Sequence, residues 1–306
     1  MGTSIALPPA LLKRVVPDLL GADCSLHRLH ISSVELYGTF TARFSEAAVC
    51  SAALRSLQLS TCGLRGPLPE LRLPALRKLS LSENYLEGGL EPLQGCTALQ
   101  ELDLSGMSNM TGGLKPLQGC TALRVLDLHD NRLTGELEPL QDCRALQLLR
   151  LESNLLTGSL EPLQGCTALH TLMLDDNELT GGLEPLRRCT ALVELWLFKN
   201  QLTGELEPLR GCKALQILQM ASNQLTGGLE HIRGCTALQS LQLDGNQLSG
   251  GLEPLRGCTA LEELTLRSNQ LTGALKPLLG WTALVLLDLE DNQLVPTGGE
   301  LLSFRP

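Results

Sequence analysis

A near-identical unit returns every 23 residues from about residue 76 to residue 292, so the chain must fold as a series of like elements rather than around one irregular core. Read from Leu123, the unit is Leu123-x-x-Leu126-x-Leu128-x-x-Asn131-x-Leu133-Thr134-Gly135-x-Leu137-x-Pro139-Leu140-x-x-Cys143, after which Leu146 restarts it. A unit this small cannot bury its own apolar side, and neighbouring units have to stack and share an elongated core. Composition points the same way. Of the 306 residues, 43% are hydrophobic but only 3% aromatic, so aliphatic side chains, overwhelmingly Leu, must fill that core. Twelve units start at Leu26, Leu54, Leu76, Leu99, Leu123, Leu146, Leu169, Leu192, Leu215, Leu238, Leu261 and Leu284; they occupy 26–294, and the first two are degenerate.

The pattern L-x-x-L-x-L-x-x-N-x-L resembles that of the leucine-rich repeat family. The resemblance covers about nine-tenths of the chain. It implies a solenoid, a curved right-handed coil with a parallel β-sheet on its concave face. The residues support the strands independently: at period 2, Leu126 and Leu128 point one way while Val125, Asp127 and His129 point the other. Just after each strand stands an Asn (Asn84, Asn131, Asn154, Asn177, Asn200, Asn223, Asn246, Asn269, Asn292), where a buried amide can satisfy turn backbone that no sheet partner reaches. The following Leu-Thr-Gly is similar to the plant-type subclass, although Pro139 comes two residues after Leu137 instead of one. Leu137, Leu140, Cys143 and Leu146 recur at every third residue, which predicts 3₁₀ or extended convex segments and excludes long helices there.

The departures lie in one turn and at the two ends. Five residues, Ser105 to Asn109, replace the usual four, so this turn must bulge and the Asn role passes to Asn109 or lapses. Val34 and Cys62 stand at the Asn position of the first two units. Over 1–25, the spacing of Leu11, Leu12, Val15, Val16, Leu19 and Leu20 predicts a short helical N-terminal cap. Over 295–306 a C-terminal cap is expected, with Trp281 and Phe304 closing the core. Leu7-Pro8-Pro9-x-Leu11-Leu12-x-x-Val15 also looks like the opening of an F-box, a ubiquitin-ligase adaptor motif, without the remainder of that motif.

Charge and cysteine usage narrow the function. A net charge of -9 opposes nucleic acid and anionic membrane surfaces and favours a protein partner with a basic or neutral surface. No apolar run has the roughly 18 residues that span a bilayer, and no signal-peptide pattern is visible at the start. Eight Cys (Cys96, Cys120, Cys143, Cys166, Cys189, Cys212, Cys235, Cys258) share one repeat position flanked by Leu, without a C-x-x-C pair, and read as buried apolar fillers in a reducing, cytoplasmic or other intracellular compartment. The sequon Asn109-Met110-Thr111 has no secretory signal beside it. His27, His30 and His170 have no matched nucleophile, and His231 replaces a Pro. No catalytic residue, metal or cofactor is expected.

The outward strand residues carry the best functional information. Across the twelve strands they include ten acids and four bases, a net -6 on the expected docking face. Near the middle stand Trp196 and Phe198, two of only eight aromatic residues, with Met173 one strand earlier and Gln219 one strand later. His129 shares a column with Glu152 and Asp175, beside Asp127 and Arg150. The expected role is a non-catalytic interaction module, or a structural subunit of a larger complex, binding a protein through the concave face. A receptor ectodomain or a ubiquitin-ligase adaptor is the alternative.

Overall fold

The computed structural model describes residues 26–32 and 49–295. The expected helix over 1–25, the F-box-like segment, Val34 and Phe304 lie outside the described residues, and among those described none is in an α-helix. The chain forms two compact units, 1–156 and 157–306.

In residues 1–156 the strands Arg28–Ser32, Ser56–Ser60, Lys78–Ser80, Glu101–Asp103, Val125–Asp127 and Leu148–Arg150 pair in chain order, all parallel. In residues 157–306 the strands Thr171–Met173, Glu194–Trp196, Ile217–Gln219, Ser240–Gln242, Glu263–Thr265 and Leu286–Asp288 do the same. Each expected repeat thus supplies one strand. The register aligns like with like, so Leu195 lies between Leu172 and Leu218. These inward leucines are fully buried.

Behind the strands most turns from Lys78 onward cross a short second strand and a 3₁₀ turn. The second strands pair in the same way: Thr134–Gly135 pairs with Leu155–Leu156 in the first unit, and Gln201–Gly204 pairs with Thr180–Gly181 and Gln224–Leu225 in the second. Gly204 at φ 84° shows why glycine recurs there: side-chain-bearing residues rarely adopt that conformation. The 3₁₀ segments, such as Glu138–Leu140 and Glu184–Arg188, begin with Glu-Pro, and proline pre-sets the backbone where no amide donor is needed. Hydrogen bonds at three-residue steps, Leu140 N to Leu137 O, Cys143 N to Leu140 O and Leu146 N to Cys143 O, carry Leu, Cys and Leu to the same inner side.

The Asn column holds the turns. Asn200 donates through Nδ2 to Leu174 O (3.0 Å) and Leu197 O (3.2 Å), and its Oδ1 accepts from Leu179 N (2.9 Å). Cys62 takes the Asn position one turn before Asn84 and donates through Sγ to Ser60 O (3.3 Å). The expected bulge is present, and the Asn role lapses: Met107 is buried at the Asn position while Asn109 is exposed. In consequence Asn131 Oδ1, one turn later, is buried with no hydrogen-bond partner. Asn292 departs from the expected burial, being half-buried in the strand turn that follows Leu286–Asp288.

Candidate protein-binding face

Alternation along each strand sends every second side chain away from the leucine core, and these side chains form the candidate face. The outward residues of 1–156 and those of 157–306 differ in chemistry.

In residues 1–156 the outward charges from Lys78 to Glu152 are engaged by one another or by neighbouring hydroxyls. Lys78 Nζ meets Glu101 Oε2 at 2.5 Å across adjacent strands, and Ser80 Oγ donates to Asp103 Oδ2 at 2.8 Å. The expected cluster of Asp127, His129, Arg150 and Glu152 is assembled. His129 Nδ1 lies 2.6 Å from Asp127 Oδ1, Arg150 Nη1 is 3.2 Å from Asp127 Oδ2, and Arg150 Nη2 is 2.6 Å from Glu152 Oε1. Burial alone would lower the Arg150 pKa; the hydrogen bond it donates to Glu152 and the charges of Asp127, Glu152 and Asp103 outweigh it, and the net shift is upward. Glu152 Oε2 is buried without a partner. Among the described residues no group of His, Cys, Asp and Glu has the arrangement of a metal site.

In residues 157–306 the face is apolar at its centre and acidic around it. Register places Trp196 directly between Met173 and Gln219 on the neighbouring strands. Trp196 and Phe198 leave the core as expected, but they are half-buried and lean on each other, with ring centroids 6.4 Å apart and planes tilted by 54°. Mutual packing covers part of both rings. Lys199 Nζ sits 5.9 Å from the Phe198 centroid and 3.6 Å from Asp176 Oδ2. The indole Nε1 of Trp196 is buried with no acceptor. Asp175, expected as an open contact, is buried. Six outward acids (Asp175, Glu194, Asp244, Glu263, Asp288, Glu290) face one base, Arg267.

The repeat register, the parallel strands and the 3₁₀ turns together decide the architecture. The chain is a leucine-rich-repeat solenoid. The Leucine Rich Repeat family profile matches residues 122–143 of it. No curated protein matches the sequence. Among solved structures, this solenoid is similar to the Arabidopsis receptor kinase HAESA in complex with the peptide hormone IDA and the co-receptor SERK1, with 28% identity and a TM-score of 0.73 over 88% of this chain and 50% of that one. It shares the fold of a TDR receptor at TM-score 0.79 and 24% identity, over 96% of this chain and 56% of that one. It is also similar to a plant ice-binding protein, with 26% identity and TM-score 0.60, over 70% of this chain and 72% of that one. The solenoid spans about half the length of these two receptors.

Two features were missed in the sequence reading. One is a left-handed residue immediately before each Asn, among them Asp130, Ser153 and Ser222. The other is an uncharged outer face on the second sheets, where exposed Gln201, Gln224, Gln247 and Gln270 alternate around buried leucines with exposed Thr203, Thr226, Ser249 and Thr272. The repeat register contains both columns, but only the strand geometry puts them side by side.

Proposed function

We propose that the chain is a non-catalytic module that binds a protein or peptide through the exposed face of its strand sheet. The observation that carries this is the Met173–Trp196–Gln219 row with Phe198 beside it: a large apolar group with an unpaired indole donor, set in an acidic surround where the repeat needs no ring. The same surround favours a partner with a basic surface. Support for peptide or protein ligands comes from the similarity to HAESA, whose structure holds a peptide hormone and a co-receptor. Replacing Trp196 and Phe198 together with Ser tests the reading. Partner capture should fall about tenfold or more, about 1.4 kcal/mol, at an unchanged melting temperature. Full capture by the double variant would sink it.

Compartment divides this reading in two. Among the described residues nine buried cysteines stand as thiols, which supports a subunit working in a reducing compartment. The similarity to receptor structures supports a ligand-binding ectodomain, and Asn109 of the sequon is exposed on the irregular turn. Mass spectrometry of the native protein decides between them, since a glycan on Asn109 belongs only to the second.

A second reading is favoured by the Gln/Thr face. Its hydroxyls are fixed, Thr203 Oγ1 donating to Gly181 O at 3.3 Å and Thr226 Oγ1 to Gly204 O at 3.3 Å, so they recur once per turn at the roughly 4.8 Å spacing of paired strands. A rigid, uncharged hydroxyl array of that pitch suits an ordered water lattice, as the similarity to an ice-binding protein suggests. Thermal hysteresis that disappears in Thr203→Lys/Thr226→Lys would support it, and its absence in the unaltered protein would exclude it.

A further inference from the structure

We propose that the sheet face of residues 157–306 takes an extended peptide segment carrying arginine, its guanidinium seated between the Trp196 ring and Glu194. This rests on the protein-binding reading and names the chemistry of its partner.

The first ground is charge. Of the seven charged outward residues, the single base, Arg267, is already engaged by Glu290 (3.1 Å) and Asp291 (3.3 Å). Asp244 and Glu263 are held by neutral donors: Asp244 accepts from Thr265 Oγ1 and from Arg267 N (2.8 Å), Glu263 from Ser240 Oγ (3.1 Å) and Gln242 Nε2 (3.1 Å). Neutral donors orient a carboxylate and leave its charge in place, so this face keeps a negative field that a cation from outside can satisfy. Residues 1–156 offer no such field around Arg150 or Lys78, which already pair with acids on the same face.

The second ground is ring chemistry. The strand already shows one ring with a cation over it, Lys199 at Phe198, and among the described residues no cation is placed over Trp196, the stronger acceptor of the two. Glu194 stands two residues before Trp196 on the same side of the same strand. A planar guanidinium can stack on the indole and present its donor edge to that carboxylate, which an ammonium cannot do as well.

Fluorescence anisotropy on the full chain tests this with three labelled octapeptides of alternating residues: Arg-Leu, Gln-Leu and Glu-Leu. The Arg-Leu peptide should bind at least about tenfold more tightly than Gln-Leu, and the advantage should shrink as salt is raised. Glu194→Gln and Trp196→Ser should each remove most of that advantage. Trp196→Phe should retain part of it, and Asp288→Asn, four strands away from Trp196 along the same register, should leave it nearly intact. Equal affinity for Arg-Leu and Gln-Leu peptides would overturn the cation site while leaving protein binding standing. Equal losses in Glu194→Gln and Asp288→Asn would show diffuse attraction and overturn it as well. Binding of none of the peptides also overturns it, and the Trp196/Phe198 capture experiment then reports separately on the broader reading.

Discussion

Ser222 has φ 57° and precedes Asn223, as Lys199 (φ 51°) precedes Asn200 and Asp291 (φ 53°) precedes Asn292. Each turn leaves its strand through one left-handed residue, which swings the next side chain back under the strand so that the Asn amide reaches the carbonyls. A residue with a Cβ pays roughly 1–2 kcal/mol in this conformation, and Gly245 (φ 61°) shows that the turn accepts glycine. Ser222→Gly is therefore expected to raise stability by about 0.5–1 kcal/mol in urea melts, the relief being partly offset by glycine's greater freedom when unfolded. The amide itself is worth more. Asn200→Leu strands Leu174 O, Leu197 O and Leu179 N and should cost about 1–3 kcal/mol, whereas Asn131→Leu should cost less because Asn131 Oδ1 has no donor to lose. Equal losses at the two sites would contradict that account. The Asn column was legible because the same side chain recurs at each turn. The residue before it was not, since Thr61, Glu83, Asp130, Lys199 and Gly245 share only a backbone conformation.

Among the elements, the 3₁₀ turn is the one whose chemistry the spacing of side chains revealed most fully. Three-residue steps bring one Cys per turn to a common line, and successive thiols donate to the carbonyl of the Cys before, as Cys212 does to Cys189 O (3.5 Å) and Cys235 to Cys212 O (3.4 Å), whereas Cys96 donates to Leu71 O (3.6 Å). Burial among leucines pushes the thiols up from the usual 9.0, Cys120, Cys189 and Cys235 to about 11 and Cys212 to about 12. Because the folded-state pKa is the higher one, the stability linked to these neutral thiols is whole below about pH 9 and is lost as pH rises through 11 to 12. Stability should thus fall steeply in alkali, and Cys189→Ala/Cys212→Ala should flatten that slope although it lowers stability at neutral pH. An unchanged slope in the double variant would place the alkaline sensitivity elsewhere. Alkylation in the folded state should be slow for the same reason. The second strands were harder to foresee. Leu-Thr-Gly announces a turn, but the pairing of Thr203 with Gln224 arises only when successive turns are in register.

Stacking makes the stability of the molecule a sum over turns and their interfaces, so the same substitution should have different costs along the chain. In residues 157–306 the equivalent strand leucines Leu172, Leu195, Leu218, Leu241 and Leu264 are fully buried, while Leu287 is half-buried. Around Leu287 the pattern of outward polar residues also changes: Val285 is 85% exposed and Leu286 45%, at positions that Gln216 and Ile217 fill two repeats after Leu169. Val285 set where Gln216 and Gln239 stand in earlier turns, and Leu286 exposed where Ile217 is half-buried, mark this turn as the one with least cover among the described turns of this unit. Leu218→Ala opens a cavity with neighbours on both sides and should cost about 2–5 kcal/mol. Leu287→Ala removes contacts mainly toward Leu264 and should cost less than half as much. Urea melts of the two variants compare the values directly, and amide exchange should show the Leu286–Asp288 strand opening before the Ile217–Gln219 strand. If both substitutions cost the same and both strands exchange together, stability is pooled over the whole unit, and the turn-by-turn description fails.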